Sequence, residues 1–318
     1  MNYEYILTVS VFVLSAVLTV VLTAISRFLG KKGFLGNLYE SVRGGTPRAL
    51  GIIPYLLLGM FLPPGFNDLV LIIGFFALLD DIIGRRKIAN LHMEWGQLLR
   101  GIGMITVMIV GMPIVGYSSI LIALLIQPIN ISDMRPGATC SVVIIMTVLS
   151  IFAILLGMIL FSGLPTYYYI PVFVLVICLG YAPLDYLGKI MMGEVGNHSF
   201  AVALGLCFYI VGGFWWTLVM FITTTALIAL VRKNDLKIFF AKNLKIFNPT
   251  PGDYFMDVLT GGGLGDLLRK IFLKKNQINV KNPVLIFLGF RRLLFNPFHP
   301  HYGHYISKKP KSSILNRK

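Results

Sequence analysis

The chain has 318 residues, of which 56% are hydrophobic and only 13% are charged, and its mean hydropathy is +0.80. This composition excludes an ordinary soluble globular protein and indicates a polytopic membrane protein. The formal net charge is +15, but 17 of the 28 Lys and Arg residues follow residue 231, and the others form short clusters beside apolar stretches. Membrane orientation and anionic lipid headgroups explain such clusters, so no nucleic-acid binding is predicted.

The apolar stretches come in chain order as one single run and four longer ones. Residues 6–25 lack a small-residue cleavage site after them, which predicts a first transmembrane helix rather than a removed signal peptide. Because a span needs about 20 residues, or as few as about 17, each longer stretch predicts two helices joined by a turn. The result is an all-α, polytopic helical bundle with about nine to ten transmembrane helices. The longer stretches are residues 49–79 with a break at 63–65, 101–132 with breaks around 111–113 and at 116, 136–184 with a break at 162–165, and 199–231 with a break at 212–213.

The positions of the basic residues predict the orientation of this bundle. If every longer stretch is a hairpin, all Lys and Arg clusters lie on the face that follows the first helix, and the turns on the other face contain none. The positive-inside rule makes the basic face cytoplasmic and places the N-terminus outside the plasma membrane. This topology depends on the span lengths in the first two hairpins.

The composition changes after residue 231, which predicts two domains. Residues 1–231 would form the transmembrane domain, and residues 232–318 a basic cytoplasmic region. Residues 283–295 (PVLIFLGFRRLLF) are too short to span a membrane and predict one amphipathic helix in the headgroup region. About ten residues at the end of the chain are predicted to be disordered.

A pair of carboxylates ends one of the apolar runs. Eleven uncharged residues, 69–79, lead directly to Asp80 and Asp81, and the basic residues 85–87 follow. Charges at membrane depth cost roughly 2.5–3.5 kcal/mol each on insertion scales, so they usually mark a site. Two carboxylates there can hold Mg²⁺. The alternative is a solvated helix end whose acids balance Arg85 and Arg86.

Four polar segments are predicted to meet on the cytoplasmic face: residues 41–51, the Asp80–Asp81 pair, residues 127–137 and residues 188–197. Three of them bring acids, namely the pair, Asp133 and Glu194, and all bring or adjoin Lys or Arg. Carboxylates for Mg²⁺ beside basic residues suit phosphoryl chemistry on a diphosphate. Glycines on both sides of Glu194 would let backbone amides approach a phosphate. For Asp133, pairing with Arg135 is the alternative.

The order of these segments resembles the polyprenyl-phosphate N-acetylhexosamine-1-phosphate transferases, which include the phospho-N-acetylmuramoyl-pentapeptide transferase and its N-acetylglucosamine-1-phosphate relatives. The family's TPTMGG loop is similar to residues 46–51 (TPRALG), and its DD pair matches Asp80 and Asp81. Its Asn-x-x-Asp-Gly loop is similar to residues 130–134 (NISDM), and its FMGDxGS…LG segment to residues 192–205. The resemblance covers roughly residues 5–231.

The resemblance implies a Mg²⁺-dependent membrane enzyme of cell-wall (peptidoglycan) or surface-glycan synthesis. It would transfer a sugar 1-phosphate from a UDP-sugar to polyprenyl (undecaprenyl) phosphate and release UMP. Asp81 or Asp80 would be the base or the cation-side carboxylate, Asp133 would organise the nucleotide site, and Glu194 stands where the family has a Mg²⁺-binding Asp. Membrane lipids are further expected partners, and a homodimer is compatible with this interpretation. The expected substrate-binding residues are Arg43, Thr46, Pro47, Arg48, Asn130, Lys189, Gly193 and His301.

Three departures from the family pattern leave the activity open. Glu194 has one more methylene than Asp, which moves the carboxylate by about 1.5 Å, and Mg²⁺ tolerates little deviation from octahedral geometry. An asparagine of the family corresponds to Asp185, and the His-rich loop has no clean match. The chain is therefore either a divergent transferase or a catalytically silent relative that binds polyprenyl phosphate or scaffolds other enzymes. A transporter is disfavoured because the acids cluster at one face rather than at the midplane.

Overall fold

A computed structural model describes most of the chain, and it is 78% helical, which confirms the all-α prediction. The candidate residues Arg43 and His301, the predicted turn at 162–165 and the chain end lie outside the described residues. Two compact units divide the chain, Met1–Thr224 and Thr225–Lys318. The described residues are 2–40, 44–84, 86, 88, 94–161, 166–244, 246–261, 263–274 and 276–296.

The helices of the first unit follow the predicted order. A two-residue antiparallel pair, β1 (Tyr39–Glu40) and β2 (Thr46–Pro47), lies between the first two of them. The last helix runs on into the second unit. The helices are α1 Asn2–Lys31, α2 Ile52–Phe61, α3 Phe66–Ile83, α4 Trp95–Val115, α5 Ser118–Leu124, α6 Ile126–Ser132, α7 Ala138–Phe161, α8 Ile170–Tyr186 and α9 Gly193–Val231.

Among the described residues, four helical segments are long and apolar enough to cross a membrane: Tyr5–Lys31, Trp95–Val115, Ala138–Ile159 and Gly193–Val231. Three shorter apolar helices accompany them, Ile52–Phe61, Ser118–Ser132 and Ile170–Tyr186. These lengths and compositions are those of a helical membrane protein. The number of crossings and the sidedness remain predictions from the sequence.

The described turns lie at the predicted glycines, with two differences. Helix α4 ends later than predicted, and helix α2 is shorter than a membrane span. Gly65 precedes α3, and Gly212 and Gly213 interrupt α9 with non-helical backbone angles. Helix α4 continues through Pro113 and ends only at Gly116, whose φ of +60° suits a helix C-terminus. Helix α2 has ten residues and rises only about 15 Å, half of a bilayer core. It is short because the residues before it form a loop.

That loop, residues 44–51, is fixed to the chain just before α9. Met191 N donates to Pro47 O at 2.9 Å, and Gly51 N donates to Met192 O at 3.0 Å. Gly51 and Gly196 touch so closely that a Cβ on either would overlap the other backbone. Helix α3 packs against α4, and α8 packs against α1 and α7. This packing brings the end of α3, the start of α4 and the start of α9 to one place.

The second unit contains α10 (Lys233–Phe239), α11 (Pro251–Thr260), α12 (Gly263–Leu273), α13 (Pro283–Phe287) and α14 (Phe290–Leu293). Residues 283–295 were predicted as one helix but form two, because Gly289 between α13 and α14 has a left-handed backbone with φ of +84°. Within α14, Arg292 is buried against Asp257 of α11, and Arg291 pairs with Asp253. The interfacial position of this segment stays a prediction.

Candidate functional site

Asp81 anchors the beginning of α9. Its Oδ1 accepts a hydrogen bond from Glu194 N at 3.1 Å, and its Oδ2 accepts one from Val195 N at 3.0 Å. The first amides of a helix have no partner within the helix and carry its positive dipole end, so a carboxylate stabilises them. The Asp81 side chain is only 3% exposed. One predicted catalytic carboxylate is therefore engaged, through both oxygens, in holding a helix that starts more than a hundred residues later.

Gly193 makes this capping contact possible. Its φ is +72°, and a Cβ at this position would lie 2.7 Å from Asp81 Oδ2 and 2.8 Å from Ala49 Cα. Such distances are not tolerated by real side chains, and the backbone conformation itself disfavours any residue but glycine. The role predicted for Gly193 was to let an amide approach a phosphate. In the structure, the group that it admits is the Asp81 carboxylate.

Arg100, near the beginning of α4, connects three of the predicted polar segments. Its Nη2 lies 2.8 Å from Glu194 Oε2 and 3.4 Å from Asp80 Oδ2. The Asn130 amide is oriented by its neighbours: its oxygen accepts from Arg100 Nη1 at 2.7 Å, and its nitrogen donates to Glu194 Oε2 at 2.8 Å. A planar guanidinium can serve several acceptors in this way. Arg100 is thus the centre of the charge cluster.

Arg100 is a functional residue that the motifs do not identify, although the sequence carries a signal for it. It is the only Lys or Arg between residues 88 and 134, and a 32-residue uncharged stretch follows it. An isolated cation next to an apolar span usually has a specific partner. The sequence could have suggested a partner among the four predicted segments, but not which acid.

His198, one helical turn after Glu194 on α9, completes this side of the cluster. Its Nε2 lies 3.2 Å from Glu194 Oε2, and the ring is fully buried. Among the described residues neither ring nitrogen has a hydrogen bond of good geometry, so its contact with Glu194 is one of proximity. The structure places His198 inside the protein, where it supports the Glu194 carboxylate.

Asp133, at the C-terminal end of α6, contacts the same helix. Its Oδ2 accepts a hydrogen bond from Asn197 Nδ2 at 2.8 Å. Burial raises the pKa of the Asp133 carboxyl to about 7, and the Asn197 hydrogen bond opposes this rise only in part. The Asp133 carboxylate is therefore held by an amide on α9.

The raised pKa of Asp133 predicts a dependence of stability on pH. A carboxyl with an unfolded-state pKa near 3.9 and a folded-state pKa of about 7 holds its proton more tightly in the folded state. Its favourable contribution is complete below about pH 4 and is lost as the pH rises through about 7. We expect the melting temperature of wild type, relative to that of Asp133→Asn, to fall as the pH is raised from 5 to 8. A difference that stays constant with pH would contradict this expectation.

The remaining predicted residues divide into those near the cluster and those apart from it. Thr46 and Pro47 are buried in β2, and the Arg48 guanidinium interacts electrostatically with Asp81 and Glu194. Lys189 is exposed, and its backbone carbonyl accepts from Arg27. None of the described contacts joins its side chain to the cluster.

Asp185, which replaces an asparagine of the family that the sequence resembles, lies apart from the cluster on α8. It accepts hydrogen bonds from Gly137 N at 3.1 Å and Cys140 Sγ at 3.2 Å. These contacts join α8 to the beginning of α7. Asp185 is therefore a packing residue in this structure.

The arrangement does not fit a Mg²⁺ ion held by the protein. Within the described ranges, no three His, Cys, Asp or Glu side chains are grouped to hold a metal ion. The reason is visible in the contacts: Arg100 lies between Asp80 and Glu194, and both oxygens of Asp81 accept backbone amides. Mg²⁺ needs free oxygen ligands in near-octahedral geometry. In this structure the Arg100 guanidinium lies between two of the carboxylates that the sequence suggested as metal ligands.

Comparison with known proteins adds no family assignment. No family model matches this chain, and no curated protein matches it either.

Proposed function

We propose that the chain is a divergent phosphoglycosyl transferase of the kind that its motifs resemble. It would transfer a sugar 1-phosphate from a UDP-sugar of the N-acetylhexosamine type to polyprenyl phosphate at the cytoplasmic face of the plasma membrane. The observation that supports the proposal is the convergence of Asp80, Arg100, Asn130 and Glu194, which come from four separate segments, in direct contact. A cluster of acids and guanidinium groups beside apolar helices suits a diphosphate and a lipid-linked acceptor.

The chemistry would be a displacement at phosphorus. An oxygen of the polyprenyl phosphate attacks the phosphorus that carries the sugar, the bond from that phosphorus to UMP breaks, and UMP leaves with the electron pair. Such reactions depend mostly on positioning and on neutralising the phosphate charge. Arg48 and Arg100 would supply positive charge through their guanidinium groups. No step of this mechanism passes through a metal held by the protein.

Asp80 is the carboxylate that we assign to the acceptor phosphate. Its contact with Arg100 is long, at 3.4 Å, and its side chain remains 12% exposed. Asp81 is fully engaged with the amides of α9. Asp80 can therefore accept a proton from a lipid phosphate, whereas Asp81 would act as a positioning residue for Glu194.

A transfer assay tests the proposal. Purified protein would be incubated with undecaprenyl phosphate and radiolabelled UDP-sugars, with and without Mg²⁺. We expect a lipid-linked product from wild type and a loss of about 10²- to 10⁴-fold in Asp80→Asn, the range typical of a general acid or base. Asp68→Asn is the matched control, because Asp68 lies on the same helix but is exposed in its first turn. An equal loss in both variants would refute the role of Asp80.

The second candidate is a catalytically silent relative that binds polyprenyl phosphate or scaffolds other enzymes. The observation in its favour is that both oxygens of Asp81 and the Oε2 atom of Glu194 already have partners within the protein. This candidate predicts no product from wild type with any UDP-sugar. It also predicts none from Glu194→Asp, the variant with the family's residue, although both proteins would retain polyprenyl phosphate on a filter-binding assay.

A further inference from the structure

The second unit contains a cavity of about 740 Å³. This volume lies in the upper part of the range of small-molecule sites, about 300–1,000 Å³. One wall comes from the last turns of the apolar helix α9, at Ala226, Ala229 and Leu230. The cavity therefore begins on a helix that is long and apolar enough to cross a membrane. A ligand could therefore enter the cavity beside the C-terminal end of α9.

The opposite walls are aromatic and aliphatic. Phe247, Phe255, Phe287 and Leu288 line the cavity from the second unit's own helices and loops. Phe287 is 61% exposed and Leu288 48% exposed, so the apolar lining continues to the outer surface. Apolar surface of this kind, next to a membrane helix, is typical of contact with lipid.

Two lysines give the cavity its charge. Lys233 and Lys237 both line it, and they lie one turn apart on α10, just after the end of α9. Both are exposed, and neither ammonium group forms an ion pair with any described residue. Basic residues immediately beyond a membrane helix lie at the height of lipid phosphates. The cavity thus combines an apolar wall that begins on a helix of membrane-spanning length with two lysines that form no ion pair among the described residues.

We propose that this cavity binds an anionic phospholipid, with the phosphate between Lys233 and Lys237 and an acyl chain along the wall of Leu230, Phe255 and Phe287. The two lysines are complementary to an anionic headgroup. The apolar wall is continuous with α9, which suits an acyl chain. The site is separate from the Arg100 cluster and does not depend on transferase activity. Its occupant would connect the second unit to the membrane.

The test is the binding of two lipids to the full chain, measured by native mass spectrometry in detergent. We expect phosphatidylglycerol to bind more tightly than phosphatidylcholine. Each basic residue near a membrane surface contributes about a fivefold preference for anionic lipid, so Lys233→Gln/Lys237→Gln should weaken phosphatidylglycerol binding about 25-fold. Lys242→Gln/Lys281→Gln is the matched control, since both lysines are exposed in the same unit but do not line the cavity.

Each other outcome overturns the proposal. Equal loss in both double variants would mean that only the overall charge attracts the lipid. Equal binding of the two lipids by wild type would exclude a selective site. Displacement of the lipid by inorganic phosphate would indicate an anion site without a chain-binding wall, and unchanged binding in Leu230→Gln/Phe255→Ser would lead to the same conclusion. Thermal unfolding of every variant, recorded beside the titrations, separates lost binding from lost folding.

Discussion

Arg100→Ala should lower the free energy of unfolding by about 2–4 kcal/mol, close to the cost of breaking a buried ion pair, and should abolish transfer activity. The substitution leaves the Asp80 and Glu194 carboxylates facing each other without their shared cation. Denaturant unfolding of the detergent-solubilised protein measures the change. Arg86→Ala is the control: Arg86 is exposed, and its removal should change stability by less than about 0.5 kcal/mol. Equal effects of the two variants would show that Arg100 is an ordinary surface charge.

Arg100→Ala should also change the response to Mg²⁺. Once the guanidinium is gone, the Asp80 and Glu194 oxygens are free to bind a hard divalent cation. We therefore expect Mg²⁺ to raise the melting temperature of Arg100→Ala but not that of wild type. Arg100→Lys should resemble wild type in its response to Mg²⁺, because it keeps a positive charge at the site. Equal stabilisation of wild type by Mg²⁺ would mean that the metal and Arg100 occupy the site together.

Gly193→Ala should be similarly damaging, at about 2–4 kcal/mol, through the backbone rather than through charge. Alanine is strained at a φ of +72°, and its Cβ would push Asp81 away from the amides of Glu194 and Val195. Unfolding and transfer assays should both register the change. Gly157→Ala is the matched control, because the space around Gly157 in α7 is open and alanine favours a helix there. If Gly193→Ala is as stable as Gly157→Ala, the capping role of Asp81 is wrong.

The helices were accessible to sequence reasoning because each apolar run is long and each turn carries glycine or proline. The convergence of the polar segments was also predicted, from the hairpin topology and the placement of the basic residues. The different roles of Asp80 and Asp81 were not predicted, because two neighbouring aspartates look chemically identical in a sequence. Only the direction of each side chain relative to α9 separates a capping carboxylate from one that remains partly exposed.

Long-range contacts account for the other differences. The position of Arg100 between Asp80 and Glu194 depends on the packing of α3 against α4, which no local pattern encodes. The ion pairs of the second unit were not predicted for a related reason: Arg292 is buried because Asp257 lies opposite it on another helix. Ion-pair partners on two different helices can be identified only when the positions of both helices are known.

The hydrogen bonds between Asp81 and the first amides of α9 offer a way to detect substrate binding. The amides of Glu194 and Val195 are protected from solvent only while Asp81 accepts their hydrogen bonds. A ligand that draws Asp81 toward itself must release those two amides, whereas one that binds Arg100 alone leaves them covered. The hydrogen–deuterium exchange rate of these two amides therefore reports whether a ligand contacts Asp81 or only Arg100, and the measurement requires no turnover.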